Sequence, residues 1–480
     1  MIPFARFRVS RFRRVTALAT IAAALAGIVL VRASHAGRLS NGPLPFTAVE
    51  ATPTTISFSG EGLSGTFALS HGSIAKQSPS SLFADIRLKA SDATAKERAP
   101  LSMAIVLDTS GSMSGEKIDR AKKSVIRMIR EMRDEDEVAF VRYSDQAELM
   151  QPLARVSSVR ESLIRRVDGL RADGGTFIAG GLTSAKSALS QVAKGRVRRV
   201  ALVSDGLDGS RAQSHQIASG LAESGVTTSA LGIGLDFDEA YMSDVASAGH
   251  GNFAFVERGE GLENFLRKEL VEASTTVVEQ AEVRFTIPSG LRLVRGFGGD
   301  ARAEGSEVVV RAGSLFAGDE RRILLELVPT FEAGSPPIVF APRVAWQRVG
   351  KTRETVNADS LRVQWVDDAA TASRSVNGEV FARAMSVVAS DRQLQAATAF
   401  GHGDGRRAQA LARQNEADLK AAMAVAPPAA TAAITKQLDQ YVIDESVFRS
   451  GVSGSSAEGS QKVKNIYQRD STNKSRAGTF

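Results

Sequence analysis

The chain has no cysteine among its 480 residues. That excludes disulfides, thiolate metal sites, thiol nucleophiles and a lipid-modified N-terminal cysteine. It suits an oxidising compartment, where a stray thiol would pair. There is no His-Glu-x-x-His, so nothing points to a zinc protease. Residues 174–182 are glycine-rich but lack the Gly-Lys-Ser/Thr of a phosphate-binding loop. Asp205-Gly206-Leu207-Asp208-Gly209 is too short for an EF-hand loop. No fixed-period repeat is present. Acidic residues are absent from positions 1–38, which carry seven arginines. Residues 451–480 carry Lys462, Lys464, Arg469, Lys474 and Arg476 against Glu458 and Asp470, and 39–450 sum to −3. The net charge of +7 and the pI near 9.6 therefore belong to the two ends. A folded middle that is not basic argues against a nucleic-acid partner.

What remains is ordinary for a globular chain: 43% hydrophobic, 24% charged, and long enough for two to four domains. At the N-terminus Arg6, Arg8, Arg11, Arg13 and Arg14 precede an apolar run from Val15 to Val31, then Arg32 and Ala33-Ser34-His35-Ala36-Gly37. This is a basic segment, an apolar segment and a small-x-small cleavage pattern ending at Ala36. The run also reaches the lower limit of a membrane-spanning helix, about 17 residues. Residues 1–36 thus read as a signal peptide or as an uncleaved membrane anchor, and both keep the arginines inside and export the rest. Arg13-Arg14 is a poor match to a twin-arginine signal. Residues 37–53 read as a linker.

Two strand-like stretches follow, Ile56–Phe58 and 82–88, with Leu82, Ala84, Ile86 and Leu88 on one face and Phe83 the apolar exception on the other. From 101 to 273 apolar strands alternate with amphipathic helices. Strands are expected at Met103–Leu107, Val138–Tyr143, Val197–Ser204, Thr227–Gly232 and Asn252–Val256. Helices are expected at Glu116–Met132, 178–192, 211–223 and 238–247. That alternation predicts an α/β domain with a doubly wound, mainly parallel sheet. Over 277–366 short strands separated by Gly, Pro and Ser turns predict a β-sandwich. The one-sided strands of 54–100 need a facing sheet, so they are expected to pair with that sandwich across the α/β insertion; the alternative is an independent hairpin lying on the α/β domain. Residues 372–449 read as two to four helices, broken at Gly401–Gly405 and Pro427-Pro428, and 450–480 as a disordered tail. Lys462–Arg476 reads as a solvated face or, alternatively, a partner or membrane-surface patch.

One constellation carries chemistry. The strand Met103–Leu107 runs into Asp108-Thr109-Ser110-Gly111-Ser112, a second loop reads Gly174-Gly175-Thr176, and a third, Ser204-Asp205-Gly206, ends the strand 200–203. Ligands of doubly wound sheets bind at the carboxyl ends of strands. Asp108, Ser110, Ser112, Thr176 and Asp205 make an all-oxygen set of two carboxylates and three hydroxyls. Hard cations such as Mg²⁺ take such ligands, at about 2.0–2.1 Å. His250 and His402, each between glycines, are expected to face solvent rather than a metal. Ser110 has no histidine near it in sequence to activate it as a nucleophile.

Asp-x-Ser-x-Ser, the distant Gly-Gly-Thr and the later Ser-Asp-Gly resemble the metal-ion-dependent adhesion site of von Willebrand factor type A domains, over 101–273. The resemblance implies a Rossmann-like fold, Mg²⁺ (Mn²⁺ or Ca²⁺ as substitutes) on Asp108, Ser110, Ser112, Thr176 and Asp205, and a partner protein that offers an Asp or Glu to the open coordination position. Phe177 departs from the small or polar residue usual after the threonine. The order of segments is similar to bacterial type A proteins related to inter-alpha-trypsin inhibitor heavy chains, without their N-terminal domain. The expected function is metal-dependent protein binding in the cell envelope, not catalysis. The competing expectations are an envelope assembly protein whose metal only stabilises the fold, and a subunit of an enzyme complex. Export argues against ATP-driven work.

Overall fold

The computed structural model describes residues 53–475 apart from 78–79, 93–98, 194, 206–207, 235–236 and 257–259. The expected signal or anchor (1–36) lies outside the described residues, as does nearly all of the linker. Among the described residues no helix is long and apolar enough to cross a membrane.

Four strands open the described chain: β1 (Thr55–Gly60), β2 (Leu63–Leu69), β3 (Ser73–Ala75) and β4 (Leu82–Ala90). An α/β domain follows. Its strands are β5 (Leu101–Asp108), β6 (Glu137–Tyr143), β7 (Ala147–Arg155), β8 (Val197–Ser204), β9 (Val226–Ile233) and β10 (His250–Val256). Its helices are α1 (Glu116–Glu131), α2 (Val156–Asp168), α3 (Ile178–Ala188), α4 (Arg211–Glu223), α5 (Glu239–Ala248) and α6 (Glu260–Ser274). The sheet order is β10-β9-β8-β5-β6-β7, parallel throughout except for β7, which is antiparallel to β6. Every residue of β5 and β9 is buried, because helices cover both faces. Ile105 and Leu107 pack with Val125, Leu163 and Leu266 on one side, and Ala104 and Val106 with Leu182, Ala218 and Tyr241 on the other.

Nine strands come next: β11 (Thr276–Thr286), β12 (Leu291–Phe297), β13 (Asp300–Glu304), β14 (Glu307–Phe316), β15 (Glu320–Pro329), β16 (Ile338–Phe340), β17 (Arg343–Arg348), β18 (Arg353–Asn357) and β19 (Leu361–Val366). They form a sandwich with the opening strands. One sheet is β1-β2-β4-β15-β12, the other β13-β14-β11-β17-β18, and β16-β19-β3 makes a small third sheet. β4 pairs antiparallel with β15 from Lys89–Glu320 to Leu82–Leu327. Strands from either side of the α/β insertion therefore share one ladder. Ile86 and Leu88 face Val283, Phe285 and Trp346 in the core. Phe67 stands edge-on to Phe285 at 5.6 Å. The other face of β4 is covered too. Phe83 packs on Ala384, Val387 and Val388 of a helix, which explains the apolar exception in its alternation.

That helix belongs to a bundle of α7 (Ala369–Arg374), α8 (Gly378–Gly401), α9 (Gly405–Met423), α10 (Pro428–Arg449) and α11 (Ala457–Ser475). The breaks fall at the expected glycines and prolines. The tail corrects the sequence reading: where disorder is expected over 450–480, Ala457–Ser475 is a helix. Its Val463, Ile466 and Tyr467 are buried against Phe400 and Phe448, and Lys464 is 2% exposed. His250 also differs from its expected solvent-facing place. It is half-buried at the start of β10, at φ 55°, with its ring against Gly313, and burial holds its pKa down to about 4. His402, just past α8, is exposed as expected.

Candidate metal centre

β5 delivers Asp108 to the carboxyl end of the sheet fully buried. The chain then turns at once. The Thr109 amide and hydroxyl both donate to the Tyr143 carbonyl, at 2.8 and 3.1 Å, and pin the turn to the end of β6. A single 3₁₀ turn, Gly111–Met113, follows, closed by the Met113 amide on the Ser110 carbonyl at 3.0 Å. Met113 is buried beneath it, which fixes the turn to the core. Ser110 and Ser112 thereby point to one side.

Four of the five expected ligands are joined directly. Asp108 Oδ1 accepts from the Ser110 amide at 2.8 Å, and Oδ2 from the Ser204 hydroxyl at 2.8 Å. The Ser110 and Ser112 hydroxyls share a hydrogen bond of 2.9 Å, and Ser112 donates on to Asp205 Oδ1 at 2.8 Å. Lys117, in the first turn of α1, donates to Asp205 Oδ2. The second loop is tied by its backbone: the Gly111 amide donates to the Gly174 carbonyl at 2.9 Å and the Asp173 amide to the Thr109 carbonyl at 2.8 Å. Among the described residues no hydrogen bond joins the Thr176 hydroxyl to the other four. Gly174 has φ +75°, and the Asp145 carboxylate fills the space where side chains of Gly174 and Gly175 would stand, so glycine is required there.

Burial pushes the Asp108 carboxyl above the usual carboxylate range, opposed by hydrogen bonds from Ser110 and Ser204. A buried carboxylate at a strand end, linked through two hydroxyls to a second one, fits a hard cation in charge and donor type. Asp108, Ser110, Ser112 and Asp205 would hold it, with Thr176 brought near by its loop. The cation would supply positive charge to an incoming oxygen ligand.

Sequence reasoning assigned no role to two residues that hold the carboxylates, Ser204 on Asp108 and Lys117 on Asp205. Ser204 stands next to Asp205, and that adjacency was the available signal; Lys117 lies five residues past Ser112 and carried none. Asp208 does not join the cluster. It accepts the Ile178 amide at 2.5 Å and the Ser210 amide at 2.8 Å, so it caps α3 from another loop. Phe177, the residue before α3, is 37% exposed at the rim.

Residues 102–268 match the model of the von Willebrand factor type A domain. Among curated proteins, the chain is 27% identical over 295 residues to the uncharacterized protein YfbK of Escherichia coli K12, covering 58% of this chain and 50% of that one. It is 24% identical over 247 residues to the uncharacterized protein sll0103 of Synechocystis, covering 48% and 57%. The chain thus spans little more than half the length of these relatives. Among solved structures it is similar to a von Willebrand factor type A protein from Catenulispora acidiphila, with TM-score 0.58, 19% identity, and 78% of this chain and 91% of that one covered. It is also similar to the ArnB paralog VWA2 from Sulfolobus acidocaldarius, with TM-score 0.53, 14% identity and 85% and 99% covered. These two likenesses speak for the fold alone, and they extend well past the α/β part. Residues 102–268 are a von Willebrand factor type A domain, a kind that generally mediates protein–protein interaction, and here it is set into a β-sandwich with a helical bundle behind it.

Proposed function

We propose that this chain is a metal-dependent protein-binding module of the cell envelope. Asp108, Ser110, Ser112, Thr176 and Asp205 hold Mg²⁺, and an Asp or Glu of the partner takes the coordination position left open. The observation that carries this reading is the run of contacts from Ser204 through Asp108, Ser110 and Ser112 to Asp205, at the carboxyl ends of two adjacent central strands. A built oxygen cluster at this place in a doubly wound sheet supports ligand binding over a purely architectural role. The exposed Phe177 beside it adds an apolar contact of the kind interfaces use. The arginine-rich start and the apolar run Val15–Val31 support a body outside the cytoplasm.

The test is titration calorimetry with Mg²⁺ and Mn²⁺. One site per chain is expected, with Asp108→Ala and Asp205→Ala each weakening it by about a hundredfold or more while circular dichroism stays native. Pull-down from envelope extract with wild type, with and without chelator, should then recover a partner that Asp108→Ala does not. Unchanged metal affinity in both variants rules out the site. Metal binding with metal-independent pull-down favours a metal that only stabilises the fold.

A further inference from the structure

We infer that Asp208 and Ser210 are positioning residues of the metal site: they brace the Asp205 loop against the start of α3 and so hold Thr176 in place for the ion. The inference rests on the metal-binding reading above and concerns residues outside the ligand set.

Thr176 has no hydrogen bond to the other four expected ligands among the described residues, so its place must come from the chain around it. On one side its loop is tied to the Asp108 turn, where the Gly174 carbonyl accepts the Gly111 amide. On the other side stands α3, which starts two residues on at Ile178. A helix start leaves its first amides without partners inside the helix, and a Ser, Thr, Asp or Asn just before it commonly supplies an acceptor. Here that residue is Phe177, which makes no side-chain cap. The acceptors come from the loop that carries Asp205. Asp208 Oδ2 accepts the Ile178 amide at 2.5 Å, and the Ser210 hydroxyl oxygen accepts the Ala179 amide at 3.2 Å.

The brace is also held from behind. Asp208, three residues past Asp205, folds back on its own loop: Oδ1 accepts the Ser210 amide at 2.8 Å, and Oδ2 accepts the Ser210 hydroxyl at 2.7 Å. The Ser210 hydroxyl shares a further hydrogen bond of 3.0 Å with the Tyr241 hydroxyl, which shares one of 2.6 Å with Ser214. Tyr241 is 1% exposed and packed in the core beneath α5. Thr176 thus stands two residues before a helix start that is fixed to the loop of Asp205 and, through Tyr241, to the core. A cap made by residue 177 itself would satisfy an amide equally well and leave the two loops free to move apart. A site with several donors binds an ion best when they are already in place, since ordering a loose donor weakens binding.

The experiment titrates the full chain with Mn²⁺ by calorimetry and records metal-free melting alongside. The variants are Asp208→Asn, Ser210→Ala, Thr176→Ala, and each of the first two combined with Thr176→Ala. Both Asp208 oxygens accept, so Asn keeps the size and puts an N–H group where an acceptor is needed. Asp208→Asn is expected to bind Mn²⁺ about tenfold more weakly than wild type, as loss of a ligand's support does. Ser210→Ala should lose less, in the same direction. Thr176→Ala should lose at least as much as Asp208→Asn. The combined variants should bind as Thr176→Ala does, because the brace has nothing left to place once that hydroxyl is gone. If the losses of Asp208→Asn and Thr176→Ala add, Asp208 acts on the ion through its own charge and the inference is overturned. It is overturned equally if Asp208→Asn and Ser210→Ala bind with wild-type affinity while melting earlier without metal, since the two residues then only cap α3. If Asp208→Asn loses its native circular dichroism, Ser210→Ala and its combination decide by the same comparison. If wild type and Thr176→Ala bind Mn²⁺ equally well, this inference fails and the metal reading stands on the other four ligands. If wild type binds no Mn²⁺, the metal reading itself fails and takes this one with it.

Discussion

Two buried acids in this molecule are held in opposite ways. At the carboxyl end of the α/β sheet Asp205 is held by a serine hydroxyl and by one ammonium on a flexible stem that enters from the rim. At the junction of sandwich and helical bundle, Asp85 of β4 is held by Arg383 of α8 at 2.6 Å, with side chains only 7% and 4% exposed. Arg383 also binds Glu379 at 2.8 Å, so one guanidinium spans two acids. Hydroxyls and a lysine can turn aside for an incoming cation. An arginine locked between two layers can leave only if α8 lifts from β4. The same residue type is thus exchangeable in one place and architectural in the other, and the partner decides which.

The largest effect should follow from breaking the architectural pair. Arg383→Met leaves Asp85 buried without its partner and is expected to cost about 3–5 kcal/mol. Urea denaturation followed by circular dichroism measures it. If this variant loses no more stability than metal-free Lys117→Met, the two acids are not held differently and the comparison collapses.

Lys464 of α11 is an intermediate case that sharpens the comparison. It is a lysine, like Lys117, but 2% exposed, and it donates to Glu239 of α5 and to the Phe237 carbonyl at 3.2 Å, with the Phe237 ring 4.4 Å away. Its ammonium is enclosed between α11 and the residues Phe237 and Glu239 at the start of α5. Lys464→Met keeps the stem packing and loses the charge, for a cost of about 2 kcal/mol. Limited proteolysis should cut first within or before α11 in this variant. Wild-type resistance to protease would mean that Val463, Ile466 and Tyr467 alone dock the helix.

This helix also shows where sequence reading stops. The type A sheet is legible because strands buried on both faces are continuous apolar runs, as in Met103–Leu107 and 200–203. The polar cluster is legible because Asp108, Ser110 and Ser112 sit two apart and Asp205 lies in a short marked loop at the end of the neighbouring strand. β7 is not legible: it is an antiparallel edge strand, half-exposed, with Pro152 inside it. α2, which follows it, went with it. α11 is not legible because Lys464 and Asp470 are buried through partners distant in sequence, and composition alone counts them as solvated. The pairing of β4 with β15 was reachable from a burial argument, since a one-sided strand needs a facing sheet, but its register was not.

The smallest effect concerns a buried group with no charged partner. His71 lies between β2 and β3, 6% exposed, edge-on to Phe381 of α8 at 5.8 Å. Ser70 Oγ accepts the Phe83 amide at 2.9 Å and shares a hydrogen bond of 2.8 Å with His71 Nδ1. Burial lowers the pKa from 6.5 to about 4. The sign follows from where the proton binds. The unfolded chain takes it up below pH 6.5 and the folded chain only near pH 4, so His71 costs nothing at neutral pH and destabilises as pH falls through that window. Between pH 7 and 5.5 the loss is about 1 kcal/mol. His71→Asn offers an amide that can donate or accept in place of Nδ1 and cannot be protonated. Its stability relative to wild type should therefore improve by that amount between pH 7 and 5.5, whatever offset it shows at pH 7. His250, also held near 4, is present in both proteins and cancels in the difference. A pH-independent difference between the two would mean that His71 takes up a proton as readily in the folded chain as in the unfolded one.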